Sequence, residues 1–509
     1  MQAKLLLPIL LAGAIAGADT DTNSSKDERV LGVYIFHRHG DRTAKAWKPV
    51  NLTALGADQA HSSGAYYRSR YVRPDPARGP GPVVVGAHAG AARPISPDTA
   101  VPAQLAVTAP RDPVLYSSAL AFLQGLYPPL AAAAAADERL ANGSRVAAPL
   151  GGYQYVPVDP VGDGDSADRP EDNAWLQGGS GCVNAEVSSN GYFASAEYRA
   201  TYDGSLDFYR RLLPVVNATY DEDAVSFKNA YSIFDLINVA TIHNASIPSS
   251  SLLTPAALAR LYSLASAHEW NLAYNASEPV RAMAGAVLAG QVVDALQAIV
   301  DAKPKAPRLH AQFGAYGTFM AFFGLARLPA ASPDFYGICN YASSMAFELV
   351  TDAPIGAKVR DDDVAVRFLF ANGTAAEHGL EAYPLFGQDR LTLPWHDFKA
   401  AMSKFAIVDS EHWCGLCGKT DGKCASTATA ALDGNAFSRA SSDKGVSRPV
   451  AGVIGALVTL VVILAVQAAV MLFGGLRLVK KSTLAGAHQS GVGVEAAGAK
   501  SGAALARPG

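Results

Sequence analysis

Leu31-Gly32-Val33-Tyr34-Ile35-Phe36, followed closely by Arg38-His39-Gly40-Asp41-Arg42-Thr43, decides the fold of this 509-residue chain. The first six residues are mostly apolar and rich in β-forming types, which predicts a buried strand. The second six place a histidine between two arginines where that strand should end. Ligands of open α/β sheets bind beyond the carboxyl ends of the strands, so this order predicts a ligand site.

The residue types in this segment suit a phosphate group. An imidazole nitrogen of His39 can attack phosphorus, and the guanidinium groups of Arg38 and Arg42 can bind phosphate oxygens through bidentate, charge-assisted hydrogen bonds. Gly40 has no Cβ and would let the backbone approach the phosphate closely. The alternative is that His39 is a buried structural histidine and that the arginines form an ion-pair cluster.

The segment Arg38–Arg42 resembles the R-H-G-x-R signature of the histidine acid phosphatase and phytase branch of the histidine phosphatase superfamily. Other stretches that are similar to fungal members of this branch are Asn51–Gln59 with Thr53 as a helix N-cap, Ser118–Pro129, Arg308–Leu325 and Tyr341–Leu349. The resemblance implies an α/β fold of the phosphoglycerate mutase-like type, in which helices flank a core sheet. We expect the core over residues 30–125 and 300–410, and an inserted α-helical cap over residues 126–299.

The resemblance also implies a mechanism of two in-line phosphoryl transfers, first to His39 and then from phosphohistidine to water. Arg38 and Arg42 would stabilise the charge on the phosphoryl group, and the reaction would need no metal ion or cofactor. A nearby acid would protonate the leaving alcohol.

The sequence departs from the family pattern at two places. Counting back from Phe323-Gly324-Leu325, the position of the usual His-Asp pair at the start of a later core helix falls near Gln312-Phe313. His310 could serve as phosphate donor if the register is shifted, or it could be a structural histidine. Val114 stands where a further phosphate-binding arginine is expected, with Arg111 three residues away.

A literal His396-Asp397 pair occurs later in the chain, at a position where we expect a helix to begin with Asp as a cap; we interpret it as a chance match. Two classes of function fit these observations. The favoured one is an acid phosphatase-like phosphomonoester hydrolase. The alternative is a catalytically impaired relative that binds phosphorylated ligands or has a structural role. A nucleic-acid partner is not expected, because the formal net charge is -3 and no basic stripe with interleaved aromatic residues occurs.

The two ends of the chain predict export and membrane attachment. Residues 1–18 have the charge, apolar block and small residues of a signal peptide. Residues 450–476 are long and apolar enough for a transmembrane helix. Basic residues follow it directly, so we expect the low-complexity tail 477–509 in the cytoplasm and a type I topology, with residues 19–424 as an ectodomain and 425–449 as a stalk. A removable signal for a lipid anchor is the competing interpretation.

Seven N-glycosylation sequons, all before residue 450, agree with an ectodomain outside the cytoplasm, either extracellular or lumenal: Asn23, Asn51, Asn142, Asn217, Asn244, Asn275 and Asn372. The five cysteines also precede the span, and in an oxidising compartment they predict disulfides rather than zinc ligands. Similar fungal chains carry the Trp-Cys-x-x-Cys cluster at the end of the ectodomain, so Cys339 is the expected unpaired cysteine. The sequence does not determine the oligomeric state.

Overall fold

The structure is a computed structural model that describes residues 28–73, 95–130, 137–161, 181–244, 251–301, 303, 306–354 and 359–425. All of these belong to one compact unit, Met1–Leu432. The predicted signal peptide, transmembrane helix and cytoplasmic tail lie outside the described residues, as does the stalk beyond residue 425.

Strands and helices alternate at both ends of the described chain, and helices dominate its middle. The strands are β1 (Arg29–Arg38), β2 (Leu105–Pro110), β3 (Asp137–Arg139), β4 (Arg145–Ala147), β5 (Asp159–Val161), β6 (Leu309–Gly314), β7 (Ser344–Thr351), β8 (Val364–Ala371), β9 (Glu381–Ala382) and β10 (Thr392–Pro394). The helices are α1 (Ala54–Tyr67), α2 (Pro113–Leu126), α3 (Pro149–Gly152), α4 (Val183–Gly191), α5 (Ala196–Val216), α6 (Ala230–His243), α7 (Pro255–Ala273), α8 (Met283–Val300), α9 (Tyr316–Leu325), α10 (Ala375–His378), α11 (Trp395–Met402) and α12 (Ser410–Cys417).

The core is a mixed sheet with strand order β10-β8-β7-β1-β6-β2-β5, with β9 paired to β8. β1 is central and buried along its whole length, as its apolar sequence predicts. It pairs in parallel with β6 and antiparallel with β7. The expected α/β core sheet with flanking helices is therefore present, and the strand that carries the signature runs through the middle of it.

Alternate side chains of β1 point to opposite faces of the sheet, and each face is covered by helices. Val33 and Ile35 share a hydrophobic cluster with residues of α1 and α2. Tyr34 and Phe36 pack instead with residues of α8 and α9. Among the described residues, one helical segment, Pro279–Val300, is long and apolar enough to cross a membrane, but it is mostly buried and includes α8 of this core.

Helices α4 to α7 form the inserted part, and α5, α6 and α7 share a separate hydrophobic cluster. The predicted cap range of 126–299 was too wide, because β5 joins the core sheet and α8 covers one face of it. The described residues before α4 also include a hairpin in which β3 pairs with β4.

The disulfide pattern ties the cap to the end of the described chain. Cys182, just before α4, is bonded to Cys417 in α12, and Cys414 is bonded to Cys424. Cys339 is the buried free cysteine. The prediction of structural disulfides with Cys339 left unpaired is therefore confirmed.

Candidate functional site

The signature segment lies where β1 leaves the centre of the sheet. Arg38 is the last residue of β1 and pairs with Gly314, the last residue of the parallel strand β6. The Gly40 amide donates to Ser118 Oγ in α2 at 3.1 Å. A Cβ at Gly40 would lie 2.1 Å from the carbonyl oxygen of Gly56. Glycine is therefore required here because the segment packs directly on the first turn of α1, and this contact replaces the expected approach to phosphate as the explanation.

His39 is held as a neutral imidazole with a defined tautomer. Its side chain is 5% exposed, and Nδ1 lies 2.8 Å from the Gly40 carbonyl oxygen. A carbonyl only accepts hydrogen bonds, so Nδ1 carries the proton and Nε2 keeps its lone pair. Burial, together with the positive charges of Arg38 and Arg42, holds the pKa of His39 well below its usual value of 6.5. His39 therefore has the protonation state of a nucleophile over a wide pH range.

Arg38 is buried between aromatic rings. Its Cζ lies 4.7 Å from the ring centre of Tyr341 and 5.3 Å from that of Tyr316. Its Nη1 donates to the carbonyl oxygen of Cys339. Tyr341 also lies beside His39, with 5.6 Å between the ring centres. Cation–π contacts of this kind fix the direction of the guanidinium without neutralising its charge.

Both terminal nitrogens of Arg42 already have partners from the cap. Nη2 lies 2.7 Å from Asp235 Oδ1, and Nη1 lies 3.1 Å from Asp235 Oδ2. The Tyr231 hydroxyl is 3.1 Å from Nη2 and accepts from it. Both members of this ion pair are at most 3% exposed. A phosphate at Arg42 must therefore share the guanidinium with a buried carboxylate.

Asp41 anchors the turn of the signature segment. Its Oδ2 accepts from Thr53 Oγ1 at 2.5 Å and lies 2.5 Å from His243 Nε2 at the end of α6. Thr53 is the N-cap of α1, as predicted, and accepts from the Gly56 amide. One side chain thus connects the signature segment to a core helix and to the cap.

The structure also shows what stands in place of the further phosphate-binding arginine. Val114 is buried in the first turn of α2, and its carbonyl oxygen accepts from Ser118 Oγ, the group that also holds the Gly40 amide. Arg111 is exposed and precedes Asp112, the N-cap of α2.

The position of the expected His-Asp pair needs a correction. β6 continues through Gln312 and Phe313 to Gly314, and Gln312 accepts a hydrogen bond from the Tyr34 hydroxyl inside the core. The junction of β6 and α9, level with Arg38, is Gly314-Ala315-Tyr316. The count back from the helix in the sequence put this junction at Gln312-Phe313, which is too early because the last residues of β6 were not allowed for.

Tyr316 is therefore the polar side chain that begins α9. Its hydroxyl donates to Glu269 Oε2 in α7 at 2.6 Å. Its ring lies 4.6 Å from that of Tyr231 and under the Arg38 guanidinium. Glu269 is thus the carboxylate that the cap brings to this junction.

His310 does not reach the signature segment. It pairs with Tyr34 in the first half of β6, four residues before Gly314, which is about 13 Å along a strand. Its ring stacks on Tyr34, and burial lowers its pKa to about 4. The structure places it as a core histidine, so the shifted register does not occur.

The His396-Asp397 pair lies at the start of α11, with His396 86% exposed and Asp397 paired to Arg390. Asp397 is in the first turn rather than at the cap, which is Pro394. Its interpretation as a chance match agrees with this exposed position.

Sequence reasoning missed the cap's contribution to the site. Asp235 and Tyr231 come from α6 and Glu269 from α7, while Tyr341 lies in the loop before β7. These residues are about 190 to 300 positions from the signature and match no motif. A signal was present for one of them only in retrospect, since Tyr341 begins a segment that resembles the family.

Solved structures with a similar fold include two phytases. The phytase of Hafnia alvei in complex with myo-inositol hexakis sulphate aligns with a TM-score of 0.50 and 13% identity, covering 77% of this chain and 99% of that one. The phytase of Klebsiella sp ASR1 aligns with a TM-score of 0.50 and 14% identity, covering 75% of this chain and 96% of that one. At such identities the likeness concerns the fold alone.

A multiple inositol polyphosphate phosphatase of Bifidobacterium longum, in complex with inositol hexasulfate, gives a TM-score of 0.46 and 10% identity, covering 77% of this chain and 96% of that one. No curated protein matches the sequence. The family described as "Histidine phosphatase superfamily (branch 2)" matches residues 45–371, which is more than half of the chain and begins just after the signature segment. The chain therefore belongs to branch 2 of the histidine phosphatase superfamily.

Proposed function

We propose that this protein is a phosphomonoester hydrolase that works through a phosphohistidine at His39. The observation that carries the proposal is the neutral His39 imidazole, with Nδ1 bonded to the Gly40 carbonyl and with Arg38 and Arg42 on either side of it in sequence. Family membership supports a phosphatase-type reaction. The myo-inositol hexakis sulphate bound to one phytase of similar fold makes phosphorylated small molecules the substrate class to test first.

The chemistry would proceed in two steps. In the first, Nε2 of His39 forms a bond to phosphorus while the bond between phosphorus and the ester oxygen breaks, and the leaving alkoxide takes up a proton. In the second, water attacks phosphorus, the N–P bond breaks, and inorganic phosphate and neutral His39 are released. Arg38 would stabilise the equatorial oxygens in both steps.

Protonation of the leaving group is the weak point of this reaction. The junction where a His-Asp pair is expected carries Tyr316, whose hydroxyl is bonded to Glu269. An aryl oxide leaves readily without an acid, whereas an alkoxide needs one. We therefore expect turnover of aryl phosphates to exceed that of alkyl phosphates by a wide margin.

A second candidate function is the binding of phosphorylated ligands without turnover. It is favoured by the Arg42–Asp235 pair, which occupies one phosphate-binding arginine, and by Val114 in place of another. His39 and Arg38 remain able to contact a phosphate in this case.

The deciding experiment is hydrolysis of 4-nitrophenyl phosphate by the full chain between pH 3 and 8, with His39→Ala as the test variant. His396→Ala is a matched control, because it makes the same change at an exposed histidine. Rapid-quench labelling with ³²P-phosphate ester would reveal an acid-labile, base-stable phosphohistidine.

Activity that is lost in His39→Ala and kept in His396→Ala supports the hydrolase. No activity above that of His39→Ala in a folded protein refutes it. Stabilisation of the wild type by inorganic phosphate, absent in Arg38→Ala, would then favour the binding function.

We also propose that the domain is tethered to a membrane by residues 450–476, with residues 19–424 outside the cytoplasm. The sequence supports this through its apolar span, the basic residues after it and the sequons before it. Protease treatment of intact cells or sealed vesicles tests the orientation. If protease added outside intact cells digested the tail and left the signature domain intact, the proposed orientation would be wrong for the plasma membrane.

A further inference from the structure

A second cavity lies on the cap side of the loop that holds Arg38, and the proposed hydrolase does not use it. Its volume is about 530 Å³, which is within the range of small-molecule sites. The residues that define its chemistry are Glu197, Tyr262, Trp270, Asn271, Asp334 and Tyr336. We call this group the aromatic pocket.

Aromatic rings form much of the wall of the aromatic pocket. Trp270 and Tyr336 meet edge to face with 4.7 Å between their ring centres. Tyr336 is 50% exposed, which is unusual for a large ring that also packs on a tryptophan. Tyr262 is fixed by a hydrogen bond from its hydroxyl to the Ile338 carbonyl at 3.0 Å, so its ring is a rigid part of the wall.

The charges of the aromatic pocket are all negative. Glu197 and Asp334 are the carboxylates of the lining, and no lysine, arginine or histidine is among its described lining residues. Asn271 donates to Glu197 Oε1 at 3.2 Å and holds that carboxylate in place. The ionised side chains of the lining therefore favour cations over anions, which separates this cavity from the phosphate site in chemistry as well as in position.

A pocket that combines aromatic rings with carboxylates, and that has no basic group, is suited to bind organic cations. A quaternary ammonium is attracted both to the faces of the rings and to the carboxylates, whereas an uncharged saccharide makes no use of the net negative charge. We propose that the aromatic pocket binds an alkylated ammonium group of the choline type.

The aromatic pocket adjoins the loop that positions Arg38. The Ile338 amide donates to Ser266 in the pocket wall at 3.2 Å, and the next residue, Cys339, accepts from Arg38. The two sites are thus separated by one short loop, although the binding proposal does not depend on catalysis.

The test is titration of the full chain with choline chloride, followed by ligand-observed NMR of the N-methyl protons. The uncharged isostere 3,3-dimethylbutan-1-ol, which replaces the nitrogen with carbon, is the matched ligand control. We expect choline to bind at least about tenfold more tightly, and the difference to shrink as salt screens the carboxylates.

Trp270→Leu should weaken choline binding about tenfold, and Trp47→Leu, at an exposed tryptophan outside the pocket, should leave it unchanged. Asp334→Asn is a second variant in case Trp270→Leu does not fold, because it changes only an exposed side chain. It should weaken the binding of choline but not the binding of the isostere. Tighter binding of glycerophosphocholine than of choline would identify a lipid headgroup as the source of the ligand, and the reverse would identify the free quaternary ammonium compound. Equal binding of choline and isostere, or binding insensitive to Asp334→Asn, would overturn the proposal.

Discussion

Substitution of Asp235 tests how the cap controls the phosphate site. The carboxylate accepts two hydrogen bonds from Arg42, at 2.7 and 3.1 Å, and a third from the Lys45 amide at 2.8 Å. Its side chain is 3% exposed. In Asp235→Asn the side chain keeps its shape but loses its charge, and the Arg42 guanidinium is left buried without a counter-ion.

Two effects should follow: the protein should lose stability, and its affinity for phosphate should rise. Removing one partner of a buried ion pair costs about 3–5 kcal/mol, so the free energy of unfolding should fall by about that amount. A bound phosphate can then supply the missing negative charge. Since a hydrogen bond to a charged group is worth about 1.5–3 kcal/mol, affinity for inorganic phosphate should rise by about tenfold to a hundredfold.

Urea unfolding at pH 7, followed by circular dichroism with and without phosphate, measures both effects at once. Asp397→Asn is the matched control, because Asp397 also pairs with an arginine but on the surface, where its side chain is 50% exposed. It should cost less than about 1 kcal/mol. The reasoning is refuted if Asp235→Asn costs no more than this control, or if phosphate stabilises the wild type more than the variant.

Three further predictions concern the core. Glu348→Ala should lower the free energy of unfolding by about 3–5 kcal/mol in urea titrations, because this fully buried carboxylate pairs with Arg70 and Arg367; a cost equal to that of Asp397→Asn would contradict this. Burial lowers the pKa of His37 from 6.5 to about 4, so as the pH falls the unfolded chain is protonated at His37 before the folded chain is. The free energy of unfolding should therefore fall by about 3 kcal/mol between pH 6.5 and pH 4. His37→Leu should reduce that loss in urea titrations at pH 7 and 4, and an unchanged pH dependence would argue against it. Burial raises the pKa of the Cys339 thiol to about 11, so iodoacetamide at pH 8 should label it only after unfolding, as mass spectrometry would show, and labelling of the native protein would contradict its buried position.

Local signals in the sequence were sufficient for the framework of the site. An apolar run predicted β1, and Thr53 predicted the start of α1, because strand burial and helix capping depend on adjacent residues. The unpaired Cys339 was predicted from a family pattern, and the structure confirms it. These features do not depend on how the cap folds back.

Residues supplied by distant elements could not be predicted. The partner of Arg42 is Asp235 in α6, and that pairing depends on how the cap docks against the core. The register error at Gln312 has a similar origin: an apolar strand that runs into an apolar helix gives no periodic signal for the boundary between them. The same missing boundary explains why His310 was a candidate for the site as well as for a structural role.

The signature segment has consequences for how sequence motifs are interpreted. Gly40 is required by the backbone of Gly56, Asp41 connects Thr53 with His243, and Arg42 is bound to Asp235. Each of these three residues has a structural partner that does not involve a substrate. Mutation at any of them would damage folding before it affected chemistry, so selection for a stable protein alone would preserve them after catalysis had been lost. In this chain, the presence of these three residues therefore reports on the scaffold, and evidence for the chemistry has to come from His39 and Arg38.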